Sequence, residues 1–203
     1  MKHHTKTAML IVDLQNDFLS DEGAYARGNT SSALAKALPE RVLPVAQAIK
    51  AQGGLVCASL FTLWPDAMGE PMISAHLLEK RPFLRRGDFA PNSWGQGVVE
   101  ALAPVVDVSV CKVAYSAFFN TQLDWVLKKA GVERLLVCGI VTNGGVASSV
   151  RDAHVRDYDT WVLSDGCAAF ADAQHQAALS DMASVARVLT CQEFLEQEGQ
   201  VLP

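Results

Sequence analysis

The stretch "CGIVTNGGVASSVRDA", residues 138–153, carries a strand end, a turn and a helix start. The run Leu135–Val141, "LLVCGIV", is short and almost unbrokenly apolar, as expected of a strand covered on both faces in a parallel sheet. Gly144 and Gly145 then turn the chain, and Val146–Arg156 reads as a helix. A strand–turn–helix of this kind often presents a catalytic nucleophile. This one presents neither Ser nor Cys at its glycine pair, and that limits the chemistry available to the chain.

The same alternation extends outward in both directions. Ala8–Val12, Leu55–Leu60, Val106–Cys111, Thr160–Ser164 and the last short run Ala186–Thr190 read as further strands. Helical spacing separates them. Ala33–Gln52 places Leu34, Ala37, Leu38, Val42, Val45 and Ile49 on one face and stops at Gly53-Gly54. Thr121–Ala130 stops at Gly131, and Ala171–Ala186 precedes the last strand. Repeated strand and helix with right-handed crossovers predict an α/β fold, a mainly parallel sheet between two helical layers. No linker or internal repeat interrupts it, so residues 1–203 are expected to form a single domain with a core over about residues 8–190. The one long irregular stretch, Phe61–Val98, contains four prolines together with Trp64 and Trp94; a loop of that length is expected to serve function or a partner.

The chain has 203 residues, of which 50% are hydrophobic and 19% charged, with a formal net charge of -5. Those values suit a compact globular protein and argue against nucleic acid as a partner, since no basic excess exists to neutralise phosphates. The apolar runs fall well short of the ~20 residues that span a bilayer, so no membrane partner is expected. The N-terminal "MKHHTKTAMLIVD" runs straight into Asp13 without a small-residue cleavage site; it does not read as a signal peptide, and a cytoplasmic location follows. The pair His3-His4 is too short for a tag. Five cysteines, Cys57, Cys111, Cys138, Cys167 and Cys191, form no C-x-x-C pair and read as buried reduced thiols.

In an open parallel sheet, ligands bind beyond the carboxyl ends of the strands. Asp13, Lys112, Gly139 to Gly145 and Asp165 fall there. Asp13 and Lys112 on neighbouring strand ends can shuttle a proton, each shifting the other's pKa, or can form a plain structural ion pair. The residues alone leave both readings open.

Three segments, "AMLIVDLQNDF", "VCKVAYSAFFNTQLDWVLKKAGVERLLVCGIVTN" and "VRDAHVRDYDTWVLSDGCAAF", resemble the isochorismatase-like superfamily, also called the cysteine hydrolases, in order and spacing over about residues 8–188. The resemblance implies the same three-layer fold. It also implies a catalytic Asp at Asp13, a catalytic Lys at Lys112 and a nucleophile position at Gly145, where amidase members carry Cys. It further implies a cis peptide at Ile140–Val141 and an oxyanion hole from the backbone amides of Val141 and Gly145. Some members bind zinc through histidines near the second strand; "SLFTLWPDAM" has none, so neither a metal nor another cofactor is expected. Homo-oligomers are common in the family, and one is expected here.

Glycine has no thiol, so a thioester at position 145 is excluded. Cys138 and Cys167 are the remaining candidates for a thiolate. Three cysteine-independent readings stand beside them. In the isochorismatase branch, which can carry Gly at this position, Asp13 would protonate a vinyl ether as general acid. Alternatively Asp13 would activate water in the room left by the sulfur, with the oxyanion amides holding the intermediate of C–N cleavage. The last is a non-catalytic protein that binds a ligand or a partner. The preceding Thr142-Asn143 looks amidase-like, whereas Gly145 looks isochorismatase-like. Around this centre Gln15, Phe18, Trp64, Trp94, Tyr115 and Asn143 are candidate substrate-binding residues. The cationic run "EKRPFLRR", with Lys80, Arg81, Arg85 and Arg86, is a candidate attractor for a carboxylate. A small, anionic substrate is the expected partner.

Overall fold

The computed structural model describes residues 6–199; the His3-His4 pair and the outermost ends of the expected 1–203 domain lie outside them. Six strands form one sheet: β1 Thr7–Val12, β2 Leu55–Phe61, β3 Val108–Lys112, β4 Arg134–Ile140, β5 Asp159–Ala168 and β6 Arg187–Leu189. Every neighbouring pair is parallel, in the order β3-β2-β1-β4-β5-β6. The helices are α1 Asn16–Leu19, α2 Ala24–Arg27, α3 Ala33–Lys36, α4 Leu38–Ala51, α5 Ala75–Lys80, α6 Leu123–Lys129, α7 Ala147–His154, α8 Asp172–Met182 and α9 Cys191–Gly199. The predicted α/β architecture is the observed one. β1 and β4 are the most deeply covered strands, with Ala8, Met9, Leu10 and Leu135 to Cys138 all at 0% exposure. That burial explains why their sequences show no polar alternation.

The strand order places the site. The chain winds outward from β1 to β3, then returns to the far side of β1 for β4 to β6, so the winding reverses between β1 and β4. Crossovers leave such a junction in opposite directions and open a crevice at its carboxyl end. Asp13 follows β1 there, and Val141 follows β4.

The short helices α1, α2 and α5 and the terminal α9 were not read from the sequence, and two elements that were read differ in extent. The single helix expected over Ala33–Gln52 is broken at Ala37 into α3 and α4. Pro39 has no N–H for the carbonyl of Ala35, and its ring would crowd that carbonyl in a continuous helix. The chain therefore restarts, with Pro39 in the first turn of α4, where a missing N–H costs nothing. The second difference is β5, which runs on to Ala168 instead of ending at Ser164. It pairs with β4 at Val137↔Val162 and again at Gly139↔Cys167. Leu163 to Gly166 therefore bulge opposite Cys138 alone. The bulge carries Asp165 away from the strand end where the sequence placed it; its Oδ1 accepts the Cys191 N–H at 2.7 Å, at the start of α9.

Gly139 is the close-contact point of the junction. It sits opposite Val12 with φ at +116°, and a Cβ there would lie 2.1 Å from the Val12 carbonyl oxygen. Only glycine permits both the backbone angle and the approach of β4 to β1. Gly139→Ala should destabilise the fold by upward of about 2 kcal/mol, read as a lowered urea midpoint at unchanged slope. An unshifted midpoint would show that the junction yields.

Candidate active site

The carboxyl ends of β1, β2 and β3 converge on one carboxylate. Asp13 leaves β1 in the left-handed region, φ +57°, which Asp tolerates better than most residues. Its N–H donates to the Ser59 carbonyl at 3.1 Å, and Ser59 Oγ donates to Asp13 Oδ1 at 3.1 Å. Lys112, the last residue of β3, places Nζ 2.7 Å from Asp13 Oδ2 and 3.0 Å from the Ala114 carbonyl. Both side chains are almost wholly buried, at 7% and 2% exposure. Burial pushes the Asp13 carboxyl above the usual range, against the opposing pull of the Lys112 charge and of hydrogen bonds from Lys112, Ser59 and the Phe61 backbone.

The turn after β4 faces this pair. The Ile140–Val141 peptide is cis. Thr142–Val146 forms a wide helical turn, in which Val146 N–H reaches back to the Val141 carbonyl at 3.3 Å, and it passes directly into α7. Ser149 Oγ donates to the Gly145 carbonyl at 2.7 Å and accepts Ala117 N–H at 2.9 Å, fastening the turn to the segment after Lys112. A Cβ built on Gly145 would stand 3.4 Å from Asp13 Oδ2, 3.0 Å from Val12 Cγ1 and 3.2 Å from the Ile140 carbonyl oxygen. Position 145 therefore looks at the carboxylate. It does so at close quarters: the space beside Gly145 is not the roomy one expected from the sequence, because Val12 and the Ile140 carbonyl crowd it.

A cavity of about 270 Å³ opens over the Asp13–Lys112 pair, bounded by Phe18, Tyr25, Phe61, Tyr115, Val141 and Gly145. Its aromatic wall has a polar origin. Asp17 is buried and accepts the N–H groups of Ala24 at 3.0 Å and Phe89 at 2.7 Å, pinning α2 and residue 89 together. Phe18 then packs 4.6 Å, centroid to centroid, from both Tyr25 and Phe89. An outer vestibule of about 710 Å³ shares Tyr25, Arg81, Tyr115 and Val141 with the inner cavity.

A family model described as the isochorismatase domain matches residues 7–193. The chain belongs to the isochorismatase family. The ureidoacrylate amidohydrolase RutB of Yersinia enterocolitica is 32% identical over 199 residues, covering 93% of this chain and 83% of that protein. YwoC of Bacillus subtilis strain 168, an uncharacterized isochorismatase family protein, is 35% identical over 108 residues, and the match spans 53% of this chain and 57% of YwoC. The crystal structure of a cysteine hydrolase from Pseudomonas syringae pv. phaseolicola 1448A superposes with a TM-score of 0.82 at 26% identity, over 100% of both chains.

Within this isochorismatase-family fold the sequence-predicted residues divide. Phe18, Tyr115 and Val141 line the inner cavity, and Asn143 lines the vestibule. Gln15 does not face the substrate space as expected. It is fully buried and acts as a clasp: Nε2 donates to the carbonyls of Phe61 at 3.0 Å and Gln96 at 2.8 Å, and Oε1 accepts Phe61 N–H at 2.8 Å. Trp64 borders a separate groove with Met72 and Leu77, and Trp94 lines neither the inner cavity nor the vestibule. Cys167 does not approach the mouth; it lies buried in β5, with its thiol pushed up to about 12 by desolvation. Burial likewise raises Cys138 well above the usual thiol range. Cys111 is exposed on the edge strand β3, contrary to the buried reading. Tyr25, Phe61 and His76 border the cavity without having been singled out as substrate contacts. Tyr25 and His76 lie in short helices with no periodicity to mark them, and Phe61 ends β2, one residue past the run read as a strand.

The buried pair predicts a pH-dependent stability. The folded pKa of Asp13 lies above its unfolded value, so within that window the folded state holds a proton that the unfolded state has lost. Stability therefore falls as pH rises through the window. Removing Lys112 extends the window upward. Lys112→Met should cost about 3 kcal/mol at pH 8 and clearly less at pH 5, as measured by urea unfolding at both values. Equal losses at the two pH values would contradict this account.

Proposed function

We propose that this chain is a hydrolase of a small anionic molecule that uses water as the attacking group and forms no covalent cysteine intermediate. One observation carries the reading: position 145, where the resemblance places the nucleophile, faces Asp13 Oδ2 and has no side chain. Neither nearby thiol replaces it, since Cys138 and Cys167 are buried and hard to ionise. The remaining reactive group is the Asp13 carboxyl, which burial shifts toward its protonated form against the pull of Lys112.

The best-defined version is vinyl-ether cleavage. Protonated Asp13 donates to the terminal vinyl carbon, and the π electrons form the new C–H bond. The resulting oxocarbenium ion is attacked by water, whose proton returns to the Asp13 carboxylate. The hemiketal then collapses to a carbonyl compound and an alcohol. Lys112 steadies the carboxylate stage, and the aromatic wall limits side reactions with bulk water. A second reading is C–N hydrolysis, favoured by the likeness to the ureidoacrylate amidohydrolase. There Asp13 would start ionised and take a proton from water, while the backbone amides of Val141 and Gly145 stabilise the tetrahedral oxyanion.

The two readings demand opposite limbs of a pH profile. On isochorismate, kcat/KM should fall as pH rises through the elevated Asp13 pKa, because the acid form donates. On ureidoacrylate it should fall as pH drops through that value. Asp13→Asn should lower either rate by about 10²- to 10⁴-fold, and iodoacetamide should label exposed Cys111 without slowing turnover. A rate that dies with alkylation, or survives in Asp13→Asn, rules out the cysteine-independent carboxyl mechanism.

A further inference from the structure

The cationic run 80–86 separates in the folded chain. Arg86 pairs with Glu70 at 2.8 Å, and Arg85, whose backbone N–H donates to Asp88 at 3.0 Å, borders neither the inner cavity nor the vestibule. Arg81 alone of the three arginines borders both the inner cavity and the vestibule. It caps the C-terminal end of α5 and is half-buried. Its Nε donates to Tyr25 Oη at 2.6 Å. Among the described residues it pairs with no carboxylate, so its terminal nitrogens remain available at the boundary between the two spaces.

The charges around it are one-sided. The vestibule is bordered by Lys80 and Arg81 and by no acidic residue; the inner cavity has Asp13 as its one carboxylate, already engaged by Lys112. Such an arrangement in a chain of net charge -5 favours an anion there. The neighbouring wall is flat and aromatic. Tyr25 stacks on Phe170 at 5.6 Å with an interplanar angle of 9°, and the Tyr115 ring lies against Gly144, 3.4 Å from where a Cβ would stand.

We propose that Arg81, held by Tyr25, is the residue that binds a substrate carboxylate, and that the substrate is a planar carboxylic acid whose reacting bond points inward to Asp13. The proposal rests on the hydrolase reading for the location of that bond alone. Arg81 binds through its planar fork, which matches a carboxylate in a way a lysine does not. Tyr25 is a positioning residue: its hydroxyl occupies Nε and fixes the direction of the two terminal nitrogens.

Calorimetric titration with benzoate and with its neutral isostere benzamide tests this without turnover, so inactivity toward either hydrolase substrate leaves the result intact. Wild-type protein should bind benzoate at least tenfold more tightly than benzamide. Arg81→Met should weaken benzoate about 10- to 100-fold and leave benzamide unchanged. Arg81→Lys should recover part of the loss. Lys128→Ala, an exposed cation on α6 that borders neither space, should change little. A thermal melt of each variant confirms the fold, and if Arg81→Met melts early, the smaller change Tyr25→Phe should still weaken benzoate severalfold with benzamide unaffected. No benzoate binding by the wild type, equal affinity for acid and amide, or full benzoate affinity in both Arg81→Met and Arg81→Lys would each overturn the assignment.

Discussion

The Asp13–Lys112 ion pair joins the ends of β1 and β3 across β2, and much of the site is arranged around it. Ser59 on β2 contributes both its carbonyl, to the Asp13 N–H, and its hydroxyl, to the carboxylate. Three adjacent strands thus terminate on one buried polar cluster. Burying two charges costs several kcal/mol per ion before their attraction and hydrogen bonds offset it. A pair retained in so dry a place holds the strand ends in one register and keeps a carboxyl near a proton. The same desolvation that makes the pair expensive raises the Asp13 pKa.

Around that cluster the fold sets two kinds of wall. One is rigid and comes from the sheet: β4 approaches β1 at Gly139, and the turn from Val141 to Gly145 is then presented to Asp13. The other comes from irregular chain. Gln15 draws together residues 61 and 96, and Asp17 draws together residues 24 and 89. These two buried polar side chains shape the aromatic side of the cavity without touching its contents. Among the described residues, no buried side-chain polar atom is left without a partner.

The sheet was legible because each strand is a short apolar run closed by turn residues, and because helical spacing lies between the runs. Asp13, Lys112 and the glycine turn were legible from their positions at strand ends. The helix break at Ala37 was not, because the apolar spacing of residues 33–52 continues through Pro39 without losing phase. The bulge in β5 was hidden for a related reason: "WVLSDGCAAF" contains Asp and Gly, which read as a strand end, whereas the chain bends out and resumes pairing. Gln15 was misplaced because a polar residue two positions after a catalytic candidate looks like a substrate contact, and only the fold brings Phe61 and Gln96 to its carboxamide. Tyr25 and Arg81 are 56 residues apart, in short helical pieces. No local pattern announces that their side chains meet.

Ser149 gives the turn a property that its glycines alone would not. Its hydroxyl is shared between the Gly145 carbonyl and the Ala117 amide, so the floor of the cavity and the stretch that carries Tyr115 are fastened to one atom. Neither can open without breaking a buried hydrogen bond of the other. In the language of local unfolding, they form one cooperative unit whose opening free energy exceeds that of an ordinary surface loop.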